Sequence, residues 1–151
     1  MSEDNPIRIF VTHLFSDHPD YFRVFEYLES ASNFFYSNCS KPGDMPSAGG
    51  AEAIKDALSQ QIQSAEIVVV ISNMYSENRE LIRFQMAAAR AAGLPMVALR
   101  PFGSEGTVAA EVEALAAEVM SWNERTMVDV IRREARHEET QRWDVIEFDL
   151  S

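Results

Sequence analysis

A run of five β-branched residues, Ile67 to Ile71, constrains the fold of this chain more than any other feature. A continuous apolar run without polar alternation is typical of a strand that is buried on both faces, as in a parallel sheet covered by helices. The run stops at Ser72-Asn73, where side chains emerge at the carboxyl end of the strand. Ligands of open α/β folds bind at that edge, so the sequence predicts a site there.

Strand and helix patterns alternate along the chain. The predicted strands cover residues 7–12, 33–37, 67–71, 96–99 and 118–122, with helical patterns between them. This alternation predicts an α/β fold, a flavodoxin-like three-layer sandwich with a five-stranded parallel sheet of order 2-1-3-4-5. We expect one domain, 1–151, and the alternating segment 143–150 predicts an extra C-terminal strand at a sheet edge.

In this strand order the first and third strands are neighbours. Their carboxyl ends, His13 to Asp17 and Ser72 to Tyr75, are therefore expected to converge on one crevice. The helix after the third strand adds a polar residue, Gln85, at the border of a face formed by Leu81, Ala88 and Ala92. Gln85 would either bond to nearby backbone or contact a ligand. An amide can orient a hydroxyl group, but it cannot act as a base or stabilise a cation as a carboxylate does.

Composition excludes several classes of function. The chain has 24 acidic and 13 basic residues, a net charge of −11, which disfavours binding to nucleic acid or to an anionic membrane. No apolar run is long enough to span a bilayer, and the single Cys39 fits a reducing cytoplasm, so we expect a cytoplasmic protein. Neither metal-ligand spacing nor a glycine-rich phosphate loop is present, and we expect no metal site.

Three further residues are candidates for ligand contact. His13 ends the first strand and could bind a ligand or cap the following turn, where Asp17 or His18 starts a helix at Pro19. Phe35, in the aromatic second strand, could stack on a flat ring or pack in the core. Arg79 lies near the end of the third strand and could meet a phosphate or stay solvated.

Several segments in order resemble a known family. They are Ile9 to His13 with Ser16-Asp17, the helix from Ile54 to Ser64, Ile67 to Tyr75, and Gly93 to Gly103. Together, over about residues 7–131, they resemble the TIR-like domain of bacterial Thoeris-type antiphage defence. The resemblance implies a flavodoxin-like fold and cleavage of the nicotinamide–ribose bond of NAD, which would be substrate rather than cofactor. It also implies an ADP-ribose-derived signal that switches on a downstream effector protein.

The resemblance places the family's catalytic glutamate on Gln85, counting back from Gly93-Leu94-Pro95. A glutamine at this position keeps the shape of the side chain and loses its charge, so we expect the chain to be weakly active or inactive. Two explanations stay open: a deliberately disabled enzyme, which we favour because the rest of the pocket pattern is intact, and a natural pseudoenzyme.

Other roles also follow from the resemblance. It implies that His13 and Phe15 line the nicotinamide and ribose region and that Asn73 and Tyr75 lie at the pocket mouth beside Gln85. The loop 38–50 would gate the pocket and mediate contacts between TIR domains. Self-assembly is therefore a further expectation, and the alternatives to an NAD-consuming enzyme are a non-catalytic TIR adaptor acting by homotypic assembly and a nucleoside deoxyribosyltransferase-like enzyme.

Overall fold

The computed structural model describes residues 1–104 and 106–137, which form five strands and six helices. The strands are β1 (Ile7–Val11), β2 (Tyr36–Asn38), β3 (Ile67–Ile71), β4 (Met96–Leu99) and β5 (Glu118–Met120). The helices are α1 (Pro19–Glu29), α2 (Gly50–Gln63), α3 (Ser72–Glu77), α4 (Arg79–Ala91), α5 (Ala110–Leu115) and α6 (Glu124–Arg136). The predicted strand at 143–150 lies outside the described residues.

All five strands are parallel, in the order β2-β1-β3-β4-β5. The predicted flavodoxin-like order is therefore confirmed. The central strand β3 pairs with β1 through Val11 and Val69 and with β4 through Ile71 and Leu99. All five residues of β3 are buried, which is why this strand consists entirely of β-branched side chains.

The helices cover the sheet in two pairs. Helix α1 packs beside α6, and α2 packs beside α4. The two pairs lie on opposite faces, because right-handed crossovers that run from β1 to β2 and from β3 to β4 leave the sheet in opposite senses. None of the helices in the described part of the chain is long and apolar enough to cross a membrane.

The first and fifth strands end one and two residues earlier than predicted, and two larger differences have a physical cause. The second strand begins at Tyr36 rather than at residue 33, because Asn33 has a left-handed backbone (φ 57°) that interrupts an extended chain. The segment after β3 is not a loop: Ser72 begins the short helix α3, which was not predicted. Periodicity cannot reveal a helix of six residues, since it spans fewer than two turns.

The buried face of α4 also differs from the prediction. Leu81 and Ala88 are only half-buried and Ala92 is exposed, so the face proposed from these residues is wrong. The buried residues of α4 are Ile82, Gln85, Met86 and Ala89. Burying Ile82 and Met86 removes more apolar surface from water than burying Ala88 and Ala92 would. The helix therefore turns a different face to the sheet from the one predicted.

Side-chain caps fix the starts of α1, α4 and α6, and His18 at the start of α1 is one of the two caps predicted there. His18 is the N-cap of α1, where its Nδ1 accepts from the Asp20 amide at 3.1 Å, and Pro19 follows in the first turn. Asn123 caps α6, where its Oδ1 accepts from the Thr126 amide at 3.0 Å. Each cap satisfies a backbone donor that has no partner inside the helix.

The Asn123 cap gives a direct test of this local structure. We expect Asn123→Ala to lower the free energy of unfolding by about 1 kcal/mol, because the Thr126 amide loses its acceptor. Asn123→Asp keeps an acceptor and should stay close to the parent protein. Urea denaturation of the three proteins measures the difference, and equal midpoints for all three would contradict it.

Candidate functional site

The amide of Gln85 joins helix α4 to the carboxyl end of β1. Its Oε1 accepts from the His13 backbone amide at 3.1 Å, and its Nε2 donates to the His13 carbonyl at 2.8 Å. The Nε2 also donates to the Leu81 carbonyl at 3.3 Å. The side chain is 0% exposed, so Gln85 lies in the interior and not at the border of the helix face as predicted.

This reciprocal pair requires an amide. One side chain must accept from a backbone N–H and donate to a backbone C=O of the same residue, His13, and glutamine has both groups at one end. An ionised carboxylate could keep only the first bond and would face the carbonyl oxygen with a negative charge. Of the two interpretations open from the sequence, the contacts of Gln85 are those of a bond to nearby backbone.

The ring of His13 is buried beside this pair. It is 1% exposed, and its Nδ1 accepts from the Phe15 amide at 3.1 Å. Its Nε2 therefore carries the proton of the neutral ring and donates to Gln61 Oε1 at 2.9 Å. Burial lowers the pKa of His13, and the hydrogen bond to Gln61 only partly opposes this effect, so the ring is held neutral.

Gln61 extends the network to the loop after β2. Its Oε1 also accepts from the Lys41 amide at 2.8 Å, so one oxygen binds both β1 and the start of that loop. The sequence analysis missed Gln61. Its signal was present, because Gln61 lies in the buried stripe of α2 with Leu58 and Ile62, at helical spacing.

Phe15 is the third residue that the structure brings to this place. Its ring meets the His13 ring edge-on, with centroids 4.7 Å apart. Its backbone is left-handed (φ 56°), a conformation that a bulky residue seldom adopts. The hydrogen bond from the Phe15 backbone N–H to His13 Nδ1 holds that turn. The turn and the bonds of Gln85 to His13 together fix the chain where β1 ends.

Asn73 lies at the same sheet edge with different partners. Its Nδ2 donates to Asp20 Oδ2 at 2.9 Å, and Arg23 donates to the other oxygen of Asp20 at 2.6 Å. Asp20 is buried and was not singled out from the sequence, since an acidic residue in a first helical turn is usually a solvated one. Ser72, which precedes Asn73, has a buried hydroxyl without a hydrogen-bond partner among the residues that the structure describes.

Tyr75, which is buried, and Arg79, which is exposed, form a further cluster. The Tyr75 hydroxyl donates to the Glu111 carboxylate, which also accepts from Arg83 at 2.7 Å. The Arg79 guanidinium lies over the Tyr75 ring, 5.6 Å from its centroid. Hydrogen bonds from Tyr75 and Arg83 hold the pKa of Glu111 below its usual range. Within the described part of the chain, neither Tyr75 nor Arg79 hydrogen-bonds to Gln85.

Phe35 lies at the wrong end of the sheet for this site. Its carbonyl accepts from the Ile7 amide at the amino end of β1, whereas His13 follows the carboxyl end. The six residue steps from Ile7 to His13 separate the two ends by roughly 20 Å of extended chain. The structure therefore does not bring Phe35 and His13 together.

Three acidic side chains near the carboxyl edge already have partners. Asp20 binds Asn73 and Arg23, Glu77 binds His18 at 2.8 Å, and Glu111 binds Tyr75 and Arg83. Within residues 1–104 and 106–137, no group of three or more histidine, cysteine, aspartate or glutamate residues could hold a metal ion. The arrangement can hold the end of β1 rigidly, and it places no carboxylate at position 85.

Comparison with known proteins gives one family. The family model described as Thoeris protein ThsB, TIR-like domain, matches residues 10–105, which is more than half of the chain. The matched range contains His13, Gln61 and Gln85. No curated protein matches the chain.

Substitution of Gln85 tests the reciprocal bond. At pH 8, we expect Gln85→Glu to lower the free energy of unfolding by about 1–3 kcal/mol, because the introduced carboxylate is buried against the His13 carbonyl. Burial raises the pKa of that carboxyl above its unfolded value, so its stabilising protonated form is lost as pH rises. The deficit should therefore be smaller at pH 5 than at pH 8.

Gln85→Met is the matched control, because it removes both bonds without adding a charge. Its deficit should be the same at the two pH values when measured by urea denaturation. A Gln85→Glu protein as stable as the parent at pH 8 would show that the bond to the His13 carbonyl contributes nothing.

The buried neutral ring of His13 predicts a pH dependence of stability. Its folded pKa is lowered, so the unfolded chain binds the proton first as pH falls below about 6.5. Stability from this residue is present above that pH and is lost as pH falls toward the folded pKa. We expect the free energy of unfolding to fall less steeply in His13→Gln than in the parent protein as pH is lowered from about 6.5 to 5.

The control for this measurement is His137→Asn, which removes an exposed histidine from a left-handed position that asparagine tolerates. It should keep the parent slope in urea titrations across the same range. If the free energy of unfolding of His13→Gln falls with pH as steeply as that of the parent protein, other groups cause the loss of stability.

Proposed function

The chain belongs to the TIR-like domain family of the Thoeris protein ThsB, and on that premise we propose that it serves in Thoeris-type antiphage defence as a TIR-like subunit that does not cleave NAD. It acts by contact with other molecules rather than by catalysis. One observation carries this proposal: both polar groups of Gln85 are committed to the His13 backbone in the protein interior.

Cleavage of the nicotinamide–ribose bond makes a demand that this geometry does not meet. As nicotinamide leaves, positive charge develops on the ribose, and a carboxylate close to the ring stabilises it. A neutral amide supplies no such charge. Gln85 is also 0% exposed, so its side chain has no surface with which to contact a substrate. The nearby carboxylates of Asp20 and Glu111 bind their own cationic partners.

The geometry also bears on how the glutamine arose. If the glutamine had replaced a catalytic carboxylate in order to disable an enzyme, its surroundings would not have been selected to offer both a hydrogen-bond donor and an acceptor. Gln85 finds both on one residue, with bonds of 3.1 and 2.8 Å. This fit supports a natural pseudoenzyme over a deliberately disabled enzyme, the explanation favoured from the sequence.

The proposal is tested by incubating the purified full chain with NAD and measuring nicotinamide by chromatography. We expect release no faster than in a protein-free sample, with an active NAD glycohydrolase as the positive control. Protein-dependent release that Gln85→Ala abolishes would overturn the proposal, because position 85 would then take part in the reaction.

A second candidate is an NAD-consuming enzyme that lacks only its carboxylate, and the closeness of His13 and Phe15 to position 85 favours it. In this case Gln85→Glu should gain nicotinamide release over the parent protein. The ADP-ribose-derived signal and its downstream effector belong to this candidate. No gain in Gln85→Glu, with Gln85→Met as the inactive reference, would leave the non-catalytic subunit as the better explanation.

A further inference from the structure

Helix α1 presents an apolar groove on its outer surface. This is a shallow depression, widely open to solvent, with a volume of about 580 Å³, and we call it the α1 groove. Its lining residues are Phe22, Phe25, Glu26, Glu29 and Ser30. The helix already buries Tyr21, Val24 and Leu28 against the sheet, so Phe22 is not needed for the core. Phe22 is 47% exposed, and an exposed phenylalanine within an apolar groove is typical of a contact surface.

The other end of the groove carries carboxylates that form no ion pair within residues 1–104 and 106–137. Glu26 and Glu29 lie in the last turns of α1, where the helix dipole is negative, and the last turn has no basic residue. A third carboxylate, Glu124, lies next to them and accepts from the Ser30 hydroxyl at 2.9 Å. Glu29 accepts from the Tyr36 hydroxyl, a neutral donor whose pKa is raised by burial and by Glu29 itself.

Arg132, a basic residue near this end, makes its contacts with other groups. Arg132 of α6 donates to the Asn33 carbonyl at 2.9 Å and lies 5.7 Å from the centroid of the Phe34 ring. Placing acidic residues at the negative end of a helix is locally unfavourable. A cation from another molecule would relieve it, and the net charge of −11 attracts such a molecule from a distance.

The spacing of the groove residues defines what fits. Phe22, Phe25, Glu26 and Glu29 follow the i, i+3, i+4, i+7 pattern, so they form one strip along about 12 Å of helix. A second helix packs along such a strip with its side chains between these residues. The strip is apolar at its start and acidic at its end.

We infer that the α1 groove docks a short basic amphipathic helix of a partner protein, with apolar side chains against Phe22 and Phe25 and lysine or arginine opposite Glu26 and Glu29. The inference rests on the proposed function in one respect, since a subunit without catalysis acts by contact. A two-turn strip is smaller than a standard protein interface, so the contact is weak and transient.

The test uses a fluorescein-labelled peptide of about 14 residues, four turns of helix, with leucines on one face and lysines on the other. Binding to the full chain is followed by fluorescence anisotropy at low salt. We expect saturable binding that a scrambled peptide of the same composition does not show. Phe22→Ser should weaken binding about tenfold, as loss of a central aromatic anchor does. Met45→Ser is the matched control, because Met45 is 52% exposed and lies outside the groove.

Charge is tested separately. The double variant Glu26→Gln, Glu29→Gln should weaken binding at least threefold and reduce its dependence on salt, since two attractive charges are lost. The control pair Glu3→Gln, Glu52→Gln removes the same net charge from exposed sites elsewhere and should bind like the parent. Circular dichroism of each variant verifies that the fold is intact.

Three results would overturn the inference: equal affinity for the scrambled peptide, binding that survives Phe22→Ser, or no binding to the parent chain. If sedimentation equilibrium instead shows a self-associating parent that Phe22→Ser makes monomeric, the groove is an interface between copies, which also overturns it. The assay contains no NAD. Failure here therefore does not affect the proposed function, and nicotinamide release would overturn that function without affecting the groove.

Discussion

The structure depends on one pair of hydrogen bonds inside the protein, between the Gln85 amide and the backbone of His13. The pair satisfies a donor and an acceptor just past the last residue of β1, where the sheet ladder has ended. Leaving those two groups buried without partners would cost far more than a single hydrogen bond contributes. It also ties α4, which lies on one face of the sheet, to the end of a central strand. The position that the family resemblance assigns to catalysis is thus occupied by a structural bond.

A second amide continues this arrangement. The side-chain oxygen of Gln61 accepts hydrogen bonds from the His13 ring N–H and from the Lys41 backbone N–H. Helix α2, the end of β1 and the loop after β2 therefore meet at His13. The neutral ring is required, because its Nδ1 already accepts from Phe15. A buried network of this kind is rigid when every member is satisfied. Rigidity at the end of β1 suits a protein that presents a fixed surface, and it leaves the other face of the sheet, with α1 and α6, free to carry contacts.

Much of the fold could be predicted, because it follows from local patterns. The β-branched run predicts a fully buried strand, the alternation of elements predicts the parallel sheet, and Asn123 marks the start of α6. The errors have physical causes. Alanines at helical spacing suggested the wrong face of α4, because periodicity weighs positions equally while burial favours large side chains such as Ile82 and Met86. Phe35 was assigned to the site because strand membership alone does not tell which end of a strand a side chain occupies.

The sequence by itself determined the class of fold, the strand order, the family and the presence of a glutamine where the family resemblance implies a glutamate. Each of these is encoded in residues close to one another along the chain or in their order. Only the tertiary structure decided what the glutamine does, because its partner His13 is 72 residues away and becomes a neighbour only when α4 packs on the sheet. The same holds for the acidic end of the α1 groove, since whether a charge is compensated depends on which cations the folded chain brings close to it.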